Sequence, residues 1–267
     1  MKPILTWLLL GAAAASLFGC ASRPSEPEVA ASGKEWVTES DEPEAQRRAR
    51  LQIELASGYF EKGQVTVALD EVKQALAADP NYAPAHNLRG LIYLRLKEPK
   101  LAEASFLQAI KLAPRDGDSW HNLGWMHCEA GKHADAIAAF GKALQTPQYA
   151  AASRTWMSQG ICQARAGQPL EAERSLLRAF ELDPANPIVS YNLASLLMQR
   201  REYQRAQFYI RRLNNSELAN AESLWLGVRV ERKLNQLGTA RQLGEQLRIR
   251  YPESQEAANY ERGAFDD

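Results

Sequence analysis

An all-α, right-handed superhelical solenoid of six helix–turn–helix units is the fold this sequence predicts, and three observations carry the prediction. Ala68, Ala102, Ala136, Ala172, Ala206 and Ala240 recur at intervals of 34, 34, 36, 34 and 34 residues. Around each alanine the same order of large, small and turn residues returns, most cleanly in residues 117–147 with Trp120, Leu123, Gly124, Gly131, Phe140 and Ala143. No segment shows the two-residue alternation of a half-buried strand. A repeat of this length implies stacking of identical units rather than growth around one central core.

Taken in order, the units begin after a leader. Residues 1–19 hold Lys2 and then an apolar run from Ile4 to Phe18, the layout of a secretory signal and too short to be a convincing span. The run ends in Leu17-Phe18-Gly19-Cys20, which resembles the lipobox of bacterial lipoproteins and makes Cys20 the expected lipidation site. Ala21 follows the cysteine, and by that resemblance the absence of aspartate there favours the outer membrane. Residues 20–44 are rich in Pro, Ser and Glu. Such a stretch buries too little apolar area to offset its ordering entropy, so it reads as a tether of roughly 80 Å at full extension.

The solenoid is expected over residues 45–267. The first unit, about 49–82, places Leu51, Leu55 and Tyr59 on its first helix as packing residues, with Gly63 at the turn and Val72 on the second helix. The second, 83–116, has Gly90 and Phe106, but Arg89 stands where leucine is usual and Lys97 replaces the turn glycine; both departures are expected to weaken packing. The third, 117–150, is followed by two extra residues near Gln148–Ala152, which predict a longer turn. The fourth, 153–186, carries Gly160, Gly167 and Leu176. The fifth, 187–220, lacks the turn glycine and the terminal proline, so its second helix is expected to stop at Asn214-Asn215-Ser216. The sixth, 221–254, has Gly244 in place of a large residue, and Glu256–Arg262 reads as a short capping helix.

This arrangement of small and large residues is that of tetratricopeptide repeats. A more specific resemblance rests on the outer-membrane-type lipobox, the acidic tether and six repeats filling the rest of the chain. It rests also on Glu222-Ser223-Leu224-Trp225-Leu226-Gly227-Val228-Arg229, on Tyr251-Pro252-Glu253-Ser254, on Cys128 after Trp125 and on Cys162 after Gly160-Ile161. Together these are similar to the PilF/PilW family, the type IV pilus biogenesis lipoproteins that act as pilotins. The resemblance implies a non-enzymatic outer-membrane protein facing the periplasm, partnered by the pilus secretin and other pilus assembly proteins. Adaptors for peptidoglycan enzymes or for outer-membrane barrel assembly are the competing expectations, the first favoured by a basic C-terminal region.

Composition agrees with a binding scaffold. The formal charge is zero, and loss of Lys2 with the leader leaves 31 basic against 32 acidic residues, which gives no support for nucleic acid as a partner. The charge is uneven: residues 21–44 hold two basic and seven acidic residues, residues 200–250 eleven basic and five acidic. By the geometry of the family, Ile53 and Phe60, then Leu91 and Leu94, Trp125, and Met157 and Ile161 line an apolar concave groove that suits an amphipathic helix or an extended apolar peptide. The same register assigns His121 and Cys128 to the groove and supplies Tyr191, Ser195 and Met198, then Trp225, Arg229 and Arg232, so the groove turns basic at its end. Cys128 and Cys162 sit on corresponding helices of adjacent repeats; a bridge or two buried thiols both fit that spacing. His121, His127 and His133 are expected to be ordinary surface or groove histidines. Neither a metal site, a cofactor-binding loop nor a nucleophile–base pair is expected.

Overall fold

The computed structural model describes residues 41–265. The leader, Cys20, Trp36 and most of the tether lie outside the described residues. Thirteen helices make up the described chain: α1 (Glu44–Glu61), α2 (Val65–Ala78), α3 (Ala83–Arg95), α4 (Pro99–Leu112), α5 (Gly117–Glu129), α6 (His133–Leu144), α7 (Ala152–Arg165), α8 (Pro169–Leu182), α9 (Pro187–Gln199), α10 (Tyr203–Asn214), α11 (Ala221–Lys233), α12 (Leu237–Arg250) and α13 (Gln255–Arg262). Successive pairs form six hairpins, and α13 closes the last one. Each helix touches only its partner, the next hairpin and the equivalent helix one hairpin on, which is the contact pattern of a solenoid. Among the described residues no helix is long and apolar enough to cross a membrane.

The hairpins close through an inverse match of side-chain size. At one position on each first helix stand Ala56, Gly90, Gly124, Gly160, Ala194 and Val228; opposite, on the second helix, stand Val72, Phe106, Phe140, Leu176, Ile210 and Gly244. Glycine faces the bulkiest partners, alanine the β-branched ones, and valine faces glycine. A Cβ added to Gly124 would lie 2.8 Å from the Phe140 ring, and one added to Gly160 2.7 Å from Leu176, so the small residue is required by the large one. Gly244 extends the rule: the ring of Tyr260 from α13 fills the space that its missing side chain leaves. The terminal helix therefore completes the sixth hairpin's core as well as covering it.

Every helix-to-helix turn within a hairpin passes through a left-handed residue. Gly63, Gly131 and Gly167 take it without steric cost, at φ 73°, 74° and 72°. Lys97, Arg201 and Asn235 take the same conformation at φ 62°, 63° and 57°. The glycine substitution at Lys97 thus shows itself as backbone strain, not as loosened packing. Nor does Arg89 leave a defect. Its Nε donates to Ser105 Oγ at 3.1 Å, and its Nη2 lies 3.0 Å from His86 Nδ1, while His86 Nε2 reaches the Pro80 carbonyl at 2.9 Å. Helix starts are capped by Asp116, Asn186, Asn220 and Ser254, whose side-chain oxygens accept from backbone N–H groups of the first turn.

Two expected packing residues are corrected by the structure. Leu51 and Leu55 of α1 are 50% and 47% exposed. Their register packs against a preceding hairpin, and no described helix precedes α1. Ala49, Ile53 and Ala56 are buried instead.

Buried charge ties neighbouring hairpins together in the C-terminal half. Fully buried Glu231 accepts from Arg211 Nε at 2.6 Å and from Gln207 at 2.8 Å, joining α10 to α11. Glu173 of α8 pairs with Arg200 and Arg205. Burial alone would raise its carboxyl, but the hydrogen bonds from Arg205 and Arg200 outweigh burial and hold it below the ordinary carboxylate range. A carboxylate in such a setting is costly to leave without its partners.

Candidate partner-binding groove

The first helices of the hairpins lie side by side, α1 against α3, α3 against α5, α5 against α7, α7 against α9 and α9 against α11. Equivalent residues on them therefore form rows. Phe60, Leu91, Leu94, Trp125, Met157 and Ile161 are all half-buried, each with its base packed on a core cluster and part of its surface in solvent. Leu91 is shared between the first cluster and the one around Phe106, so the row is continuous across the first and second repeats. Ile53 does not belong to it. It is 9% exposed and packed with Leu88 and Ile92 at the seam where α3 covers α1, which corrects its assignment to the groove.

Leu94 and Trp125 open into a cavity of about 590 Å³. Its other walls are Pro99 at the start of α4, Met126, and Ala130 at the end of α5; Lys100, Glu103, Glu129 and Lys132 stand around it. A space of this size and apolar character accepts several side chains of a docked segment. The Arg165 guanidinium lies 5.6 Å from the Trp125 ring and pairs with Glu129 at 2.5 Å, setting charge at the edge of the apolar row. Pro99 and Met126 escape sequence reasoning that looks only at one face of the first helices. Proline at the start of a second helix, beside a half-buried Leu94, is the signal that could have found this wall.

His121 and Cys128 are also corrected: both are buried, not turned to the groove. His127 is buried too, its Nε2 3.8 Å from Glu103. The two extra residues after the third repeat explain His121. They carry Tyr149 back over Gly117, where a Cβ would meet its ring at 2.6 Å. A chain of donors then runs from His121 Nδ1 to Thr155 Oγ1 (2.8 Å), from Thr155 to the Tyr149 hydroxyl (3.1 Å) and from Tyr149 to Asp118 (3.2 Å), with Arg154 pairing Asp118 at 2.6 Å. Burial, with a smaller contribution from Arg154, pushes the His121 imidazole down to about 4.

Cys128 and Cys162 are joined as a disulfide, with Cα atoms 5.8 Å apart and 34 residues between them in sequence. His133 Nδ1 lies 3.5 Å from Cys162 Sγ, and the three residues are the one cluster among the described residues with metal-ligand spacing. With the sulfurs bonded to each other, one ligand atom remains, and a single imidazole does not hold an ion. Cys20 lies outside the described residues.

Toward the C-terminus the row changes character. Tyr191 and Met198 remain apolar and half-buried, then Trp225, Arg229 and Arg232 follow on α11. The ring of Phe265 lies against Trp225, 5.6 Å between centroids, and beneath Arg232. The groove is thus apolar over four repeats and cationic over the last.

Comparison with known proteins gives one consistent answer. A tetratricopeptide-repeat family model matches residues 53–116 and 157–213, and a second of the same description matches 105–138. The chain is 28% identical over 209 residues to the type IV pilus assembly protein PilF of Pseudomonas aeruginosa, covering 78% of this chain and 83% of that one. Its fold is similar to the solved structure of Pseudomonas aeruginosa PilF, with TM-score 0.74, 27% identity, and coverage of 82% of this chain and 99% of that one. It is similar also to the crystal structure of PilW, a widely conserved type IV pilus biogenesis factor, with TM-score 0.72, 29% identity, and coverage of 79% and 97%.

Proposed function

We propose that this chain, which belongs to the tetratricopeptide-repeat proteins and is PilF/PilW-like among them, is a pilotin: a binding scaffold, not an enzyme, for assembly of the type IV pilus secretin. In this reading Cys20 carries the lipid that anchors the protein to the periplasmic face of the outer membrane, and the repeats hold secretin protomers while they reach that membrane and multimerise. Similarity to PilF and PilW supports a role in pilus biogenesis. The observation that carries the binding mode is the continuous row Phe60, Leu91, Leu94 and Trp125, half-buried and unfilled by any described segment. The row itself holds no lysine or arginine, and the cations at its edge stand among carboxylates such as Glu103 and Glu129, so it suits an amphipathic helix or apolar strand of the partner rather than a bare carboxylate.

Phe60→Glu combined with Leu91→Glu tests this. Anchors of this kind are each worth about 2 kcal/mol or more, roughly thirtyfold in affinity. The double variant is expected to keep its helical melting transition while detergent-resistant secretin multimers disappear from outer-membrane fractions. A folded double variant with multimers undiminished would overturn the reading. So would recovery of a murein enzyme or a barrel-assembly component, in place of secretin, with the unaltered protein.

A further inference from the structure

The concave face of the sixth repeat has a chemistry that the apolar row does not explain, and a segment of the chain is seated on it. Gly263 ends α13 in the left-handed conformation, φ 71°, and turns the backbone toward α11. Phe265 then meets all three concave positions of that helix. Its ring lies 5.6 Å from Trp225 between centroids, and the Arg232 guanidinium carbon is 3.7 Å from the ring centre. Arg229 Nε donates to the Phe265 carbonyl oxygen at 3.2 Å. Tyr260 closes the site edge-on at 6.0 Å. One aromatic side chain is read between an indole and a guanidinium, and one backbone carbonyl is read by a second guanidinium.

The core does not need this contact. The capping work is done by α13 itself, through Ala257 and through Tyr260 in the space over Gly244. Phe265 is half-buried and stands outside the sixth repeat's core cluster. The surroundings are rich in arginine: a cavity of about 650 Å³ beside Phe265 is lined by Arg232, Arg241 and Arg248 against one carboxylate, Glu261, and another of about 600 Å³ by Arg201 and Arg229. Among the described residues Arg201, Arg232 and Arg241 pair with no carboxylate, which leaves their charge uncompensated in these cavities. In sequence Phe265 is followed by Asp266 and Asp267, two carboxylates opposite in charge to the arginines that line these cavities.

We propose that this face is a second docking site, for a partner peptide that presents an aromatic residue followed by carboxylates, and that Phe265 holds it in cis until such a peptide displaces it. A tethered occupant competes at an effective concentration near millimolar, so an external peptide binds more weakly to the intact chain than to one whose own segment has been disabled. The proposal concerns the sixth repeat and the adjoining turn of the fifth, and it does not depend on the pilotin reading.

The test uses a fluorescein-labelled peptide of residues 262–267, followed by fluorescence anisotropy. The full-length chain carrying Phe265→Ala is expected to bind it at least tenfold more tightly than the unaltered chain. Adding Arg232→Ala to that variant, or replacing phenylalanine in the peptide with alanine, is expected to abolish binding. A peptide with both aspartates changed to asparagine is expected to bind at least fivefold more weakly, with that difference shrinking in high salt. Thermal melts of each variant separate lost binding from lost folding. Equal affinity for the intact and Phe265→Ala chains, or no binding to either, would overturn the proposal. Indifference to the aspartates would overturn its acidic half. A dimer of the intact chain that Phe265→Ala dissolves, seen by light scattering, would assign the segment to a second copy and overturn the cis occupancy.

Discussion

Placing alanine at Gly124 puts a single methyl group where two effects of opposite sign meet. The new Cβ would lie 2.8 and 2.9 Å from two carbons of the Phe140 ring and 3.1 Å from the Ala136 carbonyl oxygen. Comfortable carbon–carbon contact needs about 3.5–4.0 Å, so the ring must retreat by roughly 0.7–1 Å. Phe140 is fully buried, and overpacking of such a site costs about 1–3 kcal/mol. Against this, alanine is better than glycine inside a helix by about 0.5–1 kcal/mol. The clash wins, and Gly124→Ala should lose about 1–2 kcal/mol in urea unfolding. Gly58 in α1, with nothing within 4 Å of its would-be Cβ, isolates the helix effect: Gly58→Ala should gain about 0.5–1 kcal/mol. Combining Gly124→Ala with Phe140→Ile copies the Ala194 and Ile210 pair of the fifth repeat. There the added methyl should cost nothing, so the two changes should couple favourably by about 1 kcal/mol or more. Additive losses, or a Gly124→Ala variant as benign as Gly58→Ala, would refute the size matching within the hairpins.

Three further outcomes follow from named groups. His121, held near 4 when folded against about 6.5 when unfolded, contributes stability that is complete above pH 6.5 and fades as pH falls toward 4. The loss is about 3 kcal/mol, and a denaturant series between pH 7.5 and 4 should show it reduced in His121→Gln. Removing the bridge by Cys128→Ala with Cys162→Ala should lower unfolding stability by about 3–4 kcal/mol for a loop of this length, and reductant should reproduce most of that loss in the unaltered chain. Lys97→Gly and Arg201→Gly, which relieve left-handed backbone, should each raise stability by about 0.5–1 kcal/mol in the same assay.

Periodic features were legible because each is local to one hairpin. The glycine at 124 and the phenylalanine at 140 stand at fixed offsets, and neither needs a distant partner to be recognised. The stop at Asn214 and the capping helix were readable for the same reason. What escaped depends on which surface the next hairpin covers. Ile53 shares the register of groove residues, yet α3 closes over it because Leu88 and Ile92 approach from the following repeat. Leu51 and Leu55 look like packing residues until the absence of a described neighbour before α1 exposes them. Tyr149 was visible only as an insertion; its contacts with Gly117, Asp118 and Thr155 reach across some thirty residues and into the next repeat. Phe265 lies after the last repeat, in a segment with no period, so nothing in the pattern marks it as a groove residue. Phe60, Leu91, Leu94, Trp125, Met157 and Ile161 keep part of their surface in solvent because no following hairpin closes over them as α3 closes over Ile53.

The disulfide between α5 and α7 gives the solenoid an uneven mechanics. Elsewhere among the described residues hairpins meet through packing, hydrogen bonds and ion pairs such as Glu231 with Arg211, and none of these is covalent. At the junction of the third and fourth repeats a covalent pin joins the two first helices, while the Tyr149 network braces the same joint. The described chain therefore has one covalently fixed joint, with repeats on either side of it. The apolar cavity at Trp125 is on the pinned helix α5 itself, and the cationic face at Arg232 is on α11, beyond the joint. A partner gripping both must therefore span a joint whose two first helices cannot separate while the disulfide is intact.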